Sequence, residues 1–204
     1  MDDHNFRRLE LNDVERAAEV VSQAFAYDPL CSFMLPRMRT RVGILRKFFR
    51  AYGTIYIQNH LGYGVGDPLV GVAFWLEPAI DDLSISIPSM RLFFPLLFTS
   101  YPIGYIKARR IIKQTEILHQ KYTGEPHYYL DNLGVLPAEQ GKGIASRLIY
   151  PFLEKADTEK KIVYTDTVTR TNVGLYEHYG FKVMEECLIE GTGIIVWALC
   201  RSNS

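Results

Sequence analysis

The residues best suited to chemistry fall in one run, LDNLGVLPAEQGKGIASRLIYPFLEKA. It reads as a strand ending at Pro137, then a glycine-bearing turn (Gln140-Gly141-Lys142-Gly143-Ile144-Ala145), then a helix. Glycines let the backbone approach an anion closely. The first N–H groups of a helix lack partners within it, and the helix dipole favours negative charge there. Successive amides can also form an anion-binding nest. The run therefore points to a bound pyrophosphate. Two common phosphate loops do not fit. A Walker A loop needs G-x-x-x-x-G-K-[ST], but Gly134 lies too far from Gly141, and Gly143 stands where Ser or Thr is required. A dinucleotide fingerprint needs a third small residue where Ser146 stands, and Lys160 and Lys161 occupy the region of the expected ribose-binding acid. The same glycines can also make a tight strand-to-helix turn with no ligand.

Other constellations are poorer. The five histidines (His4, His60, His119, His127 and His178) show no i, i+4 pairing and no nearby cysteine, so no metal site is expected. Cys31, Cys187 and Cys200 have no identifiable basic partner to make a thiolate and read as core residues.

The turn needs a scaffold, and the chain supplies a mixed α/β one. Phe6 to Leu11 alternates apolar and charged residues as a strand does. Asn12 and Glu15 have capping-box spacing before a helix with Val14, Ala17, Ala18, Val21, Ala24 and Phe25 on one face. Thr40 is the expected cap of a second helix reaching about Ile57. HLGYGVGDPLVGVAFWLEP reads as a hairpin turning at Asp67-Pro68. Helical cover follows over 83–122, broken near Pro102. Next come a strand over 127–136, a helix over 141–158, a strand over 161–167 and a short helix over 172–179. A hairpin turning near Gly191 closes the chain. No repeat or linker interrupts this order, so residues 1–204 form one domain with a helical insert at about 80–122. Strands outnumber crossover helices, which favours a mixed sheet.

A second motif, Asn172-Val173-Gly174-Leu175-Tyr176-Glu177-His178-Tyr179-Gly180-Phe181, reads as a helix ended by glycine and followed by a strand. Together, Q-x-x-G-x-A and N-x-x-L-Y-x-x-x-G-F in this order resemble the GNAT superfamily of acyl-CoA N-acyltransferases. The likeness is strongest over 127–185, and EPHYYLDNLGVLPAEQGKG with NVGLYEHYGF is similar to the puromycin N-acetyltransferase-like branch. Ala145 stands where many members have glycine.

The resemblance implies a mostly antiparallel sheet of about seven strands, splayed at its central strands and flanked by helices. It implies acetyl-CoA as co-substrate, no metal, and a primary amine of a small molecule as acceptor. Gln140, Gly141, Lys142, Gly143, Ile144, Ala145 and Ser146 then hold the phosphates, with Asn172 also in the cofactor site. Leu133 and Val135 offer backbone groups to the pantetheine arm, an augmentation of the strand edge by a ligand. Gly134 is the expected bulge. The Val135 N–H can polarise the thioester carbonyl. Tyr176 is the implied acid, acting on the departing sulfur. Asp131 is the implied base; strand alternation puts it on one face with Tyr129 and Leu133. A carboxylate among aromatic side chains has a raised pKa, which suits a base. Glu77 and Asp166 end the neighbouring strands and compete with it, and each of these acids can instead be structural.

Composition bounds the rest. The 23 basic and 23 acidic side chains cancel, which argues against bulk electrostatic binding of nucleic acid. At 48% hydrophobic residues the chain is not disordered. The apolar stretch from Leu83 to Ile106 is broken by Pro88, Arg91, Pro95 and Pro102, so no membrane span is expected. Its aromatic residues suit an acceptor wall, a lid core or a homodimer interface. Residues 37–50 carry Arg37, Arg39, Arg41, Arg46, Lys47 and Arg50 and read as a solvated face. Three scattered cysteines and a charged N-terminus fit the cytoplasm. A peptide N-acetyltransferase and a non-catalytic acyl-CoA sensor are the competing functions.

Overall fold

The computed structural model describes residues 6–78, 102–124 and 126–202. Seven strands form one sheet: β1 (Phe6–Arg8), β2 (Gly62–Val65), β3 (Gly71–Leu76), β4 (Tyr128–Val135), β5 (Val163–Thr167), β6 (Lys182–Ile189) and β7 (Ile194–Arg201). Their spatial order is β1-β2-β3-β4-β5-β7-β6. Only β4 and β5 run parallel; every other pair is antiparallel. Among the described residues six helices flank the sheet: α1 (Val14–Ala24), α2 (Pro29–Met34), α3 (Met38–Gln58), α4 (Pro102–Tyr122), α5 (Ile144–Glu159) and α6 (Arg170–His178). The expected mixed sheet is thus present. The insert's aromatic stretch over 92–101 lies outside the described residues. No helix among the described residues is long and apolar enough to cross a membrane.

β3 explains why the core has two sides. All six of its residues are buried. Val72, Phe74 and Leu76 meet α1 and α3, while Ala73 and Trp75 meet α5. That is the two-residue period of a strand covered on both faces. α5 lays Leu148, Ile149, Phe152 and Leu153 on its side. α4 closes a third cluster, where Ile111 and Leu118 meet Tyr164, Val196 and Ala198.

Two expected caps are corrected. The first helix begins through a 3-10 turn at Leu11–Asp13, where the Glu10 N–H donates to Asp13 Oδ2 at 2.8 Å. Asp13, and not Asn12, governs this start because Arg7 grips it with two 2.7 Å hydrogen bonds from β1. α3 begins at Met38 behind Arg37, ahead of Thr40.

The basic run over 37–50 is also not uniformly solvated. Arg46 and Arg50 pair with Glu15 on the surface. Arg41 is buried, and a buried charge persists only with its donors satisfied. Its guanidinium donates to Leu35 O (2.7 Å), Ala26 O (2.7 Å) and Ser32 Oγ (2.9 Å). Arg41 thereby fastens the short helix α2 against α3. Asp28 and Pro29 start α2, with the Asp28 carboxylate accepting from the Cys31 N–H at 3.0 Å.

Close packing fixes α5 relative to the sheet. A Cβ on Gly71 would stand 2.4 Å from Ile144 Cγ2 and 3.1 Å from Leu148 Cδ1. Gly71→Ala is therefore expected to push the first turn of α5 off the sheet and to cost about 1–3 kcal/mol. The urea midpoint, compared at unchanged m-value, measures that loss; an unshifted midpoint would show that α5 does not depend on this contact.

Candidate active site

β4 and β5 separate soon after they meet. They pair only at Tyr128 with Val163 and at Tyr129 with Tyr164. Beyond that point β5 keeps only β7, its partner on the other edge throughout. The Thr165 hydroxyl donates to Leu130 O at 2.9 Å and caps the last shared rung.

The freed edge of β4 has a definite set of groups. Leu136 N–H donates to Val70 O at 2.9 Å. In an antiparallel ladder alternate pairs are hydrogen-bonded, so Gly134 bonds Val72 in the same way. Leu133 and Val135 then turn their N–H and C=O groups away from β3, into the gap left by β5. The Val135 carbonyl accepts from Gln140 Nε2 at 3.2 Å.

A cleft of about 650 Å³ occupies this gap. Leu133 and Val135 form one wall, and Asn172, Leu175 and Tyr176 of α6 form the other. Gln140, Gly141, Gly143, Ile144, Ala145 and Ser146 close its end. Gly141 and Gly143 both have φ of +77°, a backbone conformation that favours glycine. Nothing lies within 4 Å of the position a Cβ would take on either. The first backbone hydrogen bond of α5 runs from Arg147 N–H to Gly143 O at 3.4 Å, so the earlier amides are free for an anion.

Two residues of the expected cofactor set behave differently. Lys142 pairs with Glu139 at 3.0 Å and does not line the cleft. Gly134 is not the bulge. The register of β3 and β4 shifts between Phe74 and Trp75, opposite Asn132 and Leu130, so Asp131 is the extra residue. This bulge reverses the facing of the strand. Tyr128 and Leu130 face α5 before it, and Leu133 and Val135 do so after it. Leu133 therefore does not share a face with Tyr129, as uninterrupted alternation would require. Gly134 serves another purpose: a Cβ there would lie 3.2 Å from Val21 Cα and Ala24 Cβ, so it lets α1 close on the strand.

A second chamber, of about 370 Å³, adjoins the cleft. Tyr176, Leu133, Asn172, Phe25 and Asp28 line both. The chamber holds two of the three candidate carboxylates. Asp131 Oδ2 accepts from the hydroxyls of Tyr52 and Tyr56, the latter at 2.5 Å, and from Asn132 Nδ2 at 3.1 Å. Burial raises the Asp131 pKa; those donors pull it partly back. Asp166 accepts from the Tyr129 hydroxyl at 2.9 Å. Burial, with the nearby Asp131 charge adding to it, pushes Asp166 up to about 7. Glu77 sits elsewhere. It bonds Lys155 and Tyr63, its pKa is lowered, and it lines neither cavity.

Tyr176 stands where cleft and chamber meet. Burial raises its pKa to about 12, against a lowering contact with Thr165. It therefore stays protonated through the neutral range and can donate a hydrogen bond. The cysteines are poorly suited to act as nucleophiles: burial raises Cys31 well above its ordinary value, with the Asp28 charge adding to it, and burial raises Cys200 to about 11. Among the described residues no group of three or more metal-ligating side chains occurs.

Sequence reasoning missed Tyr52, Tyr56 and His119. The two tyrosines are spaced i, i+4 on α3, which puts them on one helix face. Nothing in that spacing says what the face meets. His119 contacts His127, Nε2 to Nε2, at 2.7 Å, and burial lowers its pKa to about 4. It lines the chamber as a neutral imidazole.

The acetyltransferase (GNAT) family model matches residues 68–181, and the chain belongs to that family. It is an acyltransferase of the GNAT type, a family whose co-substrate is acetyl-CoA. An uncharacterized N-acetyltransferase of Schizosaccharomyces pombe is 27% identical over 181 residues, 86% of this chain and 73% of that protein. Among solved structures, a histone acetyltransferase HPA2 and related acetyltransferase from Corynebacterium glutamicum has a TM-score of 0.67 at 18% identity, with 98% of this chain and 96% of that one covered. Arylalkylamine N-acetyltransferase 2 from Aedes aegypti has a TM-score of 0.66 at 16% identity, covering 97% and 98%. These likenesses establish the fold. Their named substrates differ, so the acceptor must be read from this chain's own chamber.

The phenols on Asp131 set its charge. Each favours the ionised carboxylate, so removing one raises the pKa further. For a base that acts deprotonated, Tyr52→Phe is expected to move the rising limb of the pH–rate profile to higher pH. Activity falls near neutrality and recovers in alkali. An unmoved limb would remove Asp131 from the titration that controls the rate.

Proposed function

We propose that the protein transfers an acetyl group from acetyl-CoA to a primary amine of a small molecule, by direct attack. The observation that carries this reading is the carboxylate-bearing, largely apolar chamber that meets the cleft at Tyr176. A purely binding role gives no reason for two acids in a chamber that the tyrosine also lines.

Each group then has a task. The amides of residues 141–146 take the phosphates, with Asn172 and Gln140 shaping the cleft around them. The pantetheine amides pair with Leu133 and Val135 along the unpaired edge of β4. This brings the thioester carbonyl near the Val135 N–H, which stabilises negative charge on its oxygen. The acceptor nitrogen attacks the carbonyl carbon from the chamber. A C–N bond forms, the amine proton passes to the Asp131 and Asp166 pair, and the C–S bond breaks. Asp131 is the base of first choice, with Asp166 sharing the proton near neutral pH. The Tyr176 hydroxyl donates to the departing sulfur. A phenol near 12 is a weaker acid than a thiol of ordinary pKa about 8.5, so it stabilises the thiolate rather than fully protonating it. The products are the acetamide and CoA. Free cysteines fit a reducing compartment, and we place the protein in the cytoplasm.

Tyr176→Phe separates binding from chemistry. The variant is expected to lose roughly 10²-fold in turnover, while acetyl-CoA affinity by calorimetry stays within a few-fold. Equal turnover would remove Tyr176 from the mechanism. Mass spectrometry of small amines and peptides incubated with the wild-type protein tests the acceptor class; acetylation of peptides alone would overturn it.

A further inference from the structure

The chamber's lining has an unusual charge balance. Asp131 and Asp166 stand at its inner end, and Asp28 and Glu116 add two more acids to the wall. Among the described residues no lysine or arginine lines it. Arg41 lies behind α2, with its guanidinium committed to Leu35 O, Ala26 O and Ser32 Oγ. His119 is held neutral by burial. Among the described residues the chamber thus gathers acids without lining cations to balance them, an arrangement that favours a cationic guest.

The other walls are apolar. Phe25, Met34, Ile44, Leu45, Phe48 and Phe49 line the chamber from the turn after α1, from α2 and from α3. The rings of Phe48, Phe49, Tyr52 and Tyr56 form a continuous array, with neighbouring centroids 4.9–6.3 Å apart. Ring faces attract an ammonium, and ring edges and methyl groups shed water against an apolar body. A volume of about 370 Å³ suits one small ligand.

We propose that the chamber selects an acceptor that arrives as a primary ammonium on an apolar or aromatic body, and rejects amines that carry a carboxylate. This rests on the acetyl-transfer reading of the same site. The ammonium is drawn to the acid pair, and the body lies along the Phe48 and Phe49 side. An acceptor carboxylate would enter beside four acids, and such like-charge placement costs several kcal/mol. A polyamine satisfies the acids but leaves the apolar wall unused.

The test separates binding from turnover. N,N-dimethyl-2-phenylethylamine is a cation of this kind that forms no stable amide. Titrated into the protein with CoA present, it should bind at least tenfold more tightly than uncharged 2-phenylethanol. Asp131→Asn should erase most of that difference. Should that variant fold poorly, Phe48→Ala supplies a second one: it should weaken dimethylphenylethylamine severalfold and leave tetramethylammonium unchanged. In turnover, kcat/KM for 2-phenylethylamine should exceed that for phenylalanine by roughly a hundredfold, and should exceed that for spermidine. Equal binding of amine and alcohol overturns the proposal, as does a preference for phenylalanine or spermidine. Tight binding of the tertiary amine with no amine acetylated would instead keep the chamber's selectivity and overturn the acetyl-transfer reading.

Discussion

The structure turns on the parting of two parallel strands. β4 and β5 share two rungs and then diverge. A parted pair leaves backbone donors and acceptors without partners, which a fold tolerates only where water or a ligand satisfies them. β7 pairs with β5 along its whole length, on the edge away from β4, and so fills none of the gap. On β4 the edge at Leu133 and Val135 faces the cleft. The cleft, its glycine-lined end and the α6 wall follow from that divergence.

A single extra residue in β4 makes the edge serve two cavities. The bulge at Asp131 reverses the strand's facing midway. Before it, Tyr129 faces the chamber side; after it, Leu133 faces α5 while its backbone faces the cleft. The bulge thus joins an acid-bearing chamber to a backbone-lined cleft within a few residues. Supporting contacts keep that junction in place. Arg41 fastens α2, the glycine at 134 admits α1, and α3 delivers Tyr52 and Tyr56 to Asp131.

Much of the glycine-lined cleft was legible in the sequence. Glycines at 141 and 143 before a helix have a local meaning, and so does a strand rich in branched and aromatic residues. The short helix carrying Tyr176 ended at a glycine, as its spacing implied. The acceptor half was less legible. The bulge at Asp131 leaves no residue signature; Gly134, the residue that resembled a bulge, answers to a helix 113 positions earlier in the chain at Val21. Arg41 looked like its exposed neighbours because one sequence cannot say which charge of a basic run the tertiary fold will bury. The Tyr52 and Tyr56 bonds to Asp131 join residues 79 and 75 positions apart, beyond any local pattern. Local chemistry was readable; long-range partners were not.

The central claim is that the open edge of β4 receives the acyl donor. Amide hydrogen exchange of the full chain, with and without acetyl-CoA, tests it most directly. The account predicts slowed exchange at Leu133 and Val135 together with residues 141–146 on binding, and little change in β1 and β2. Binding of acetyl-CoA that leaves Leu133 and Val135 exchanging as before would contradict it.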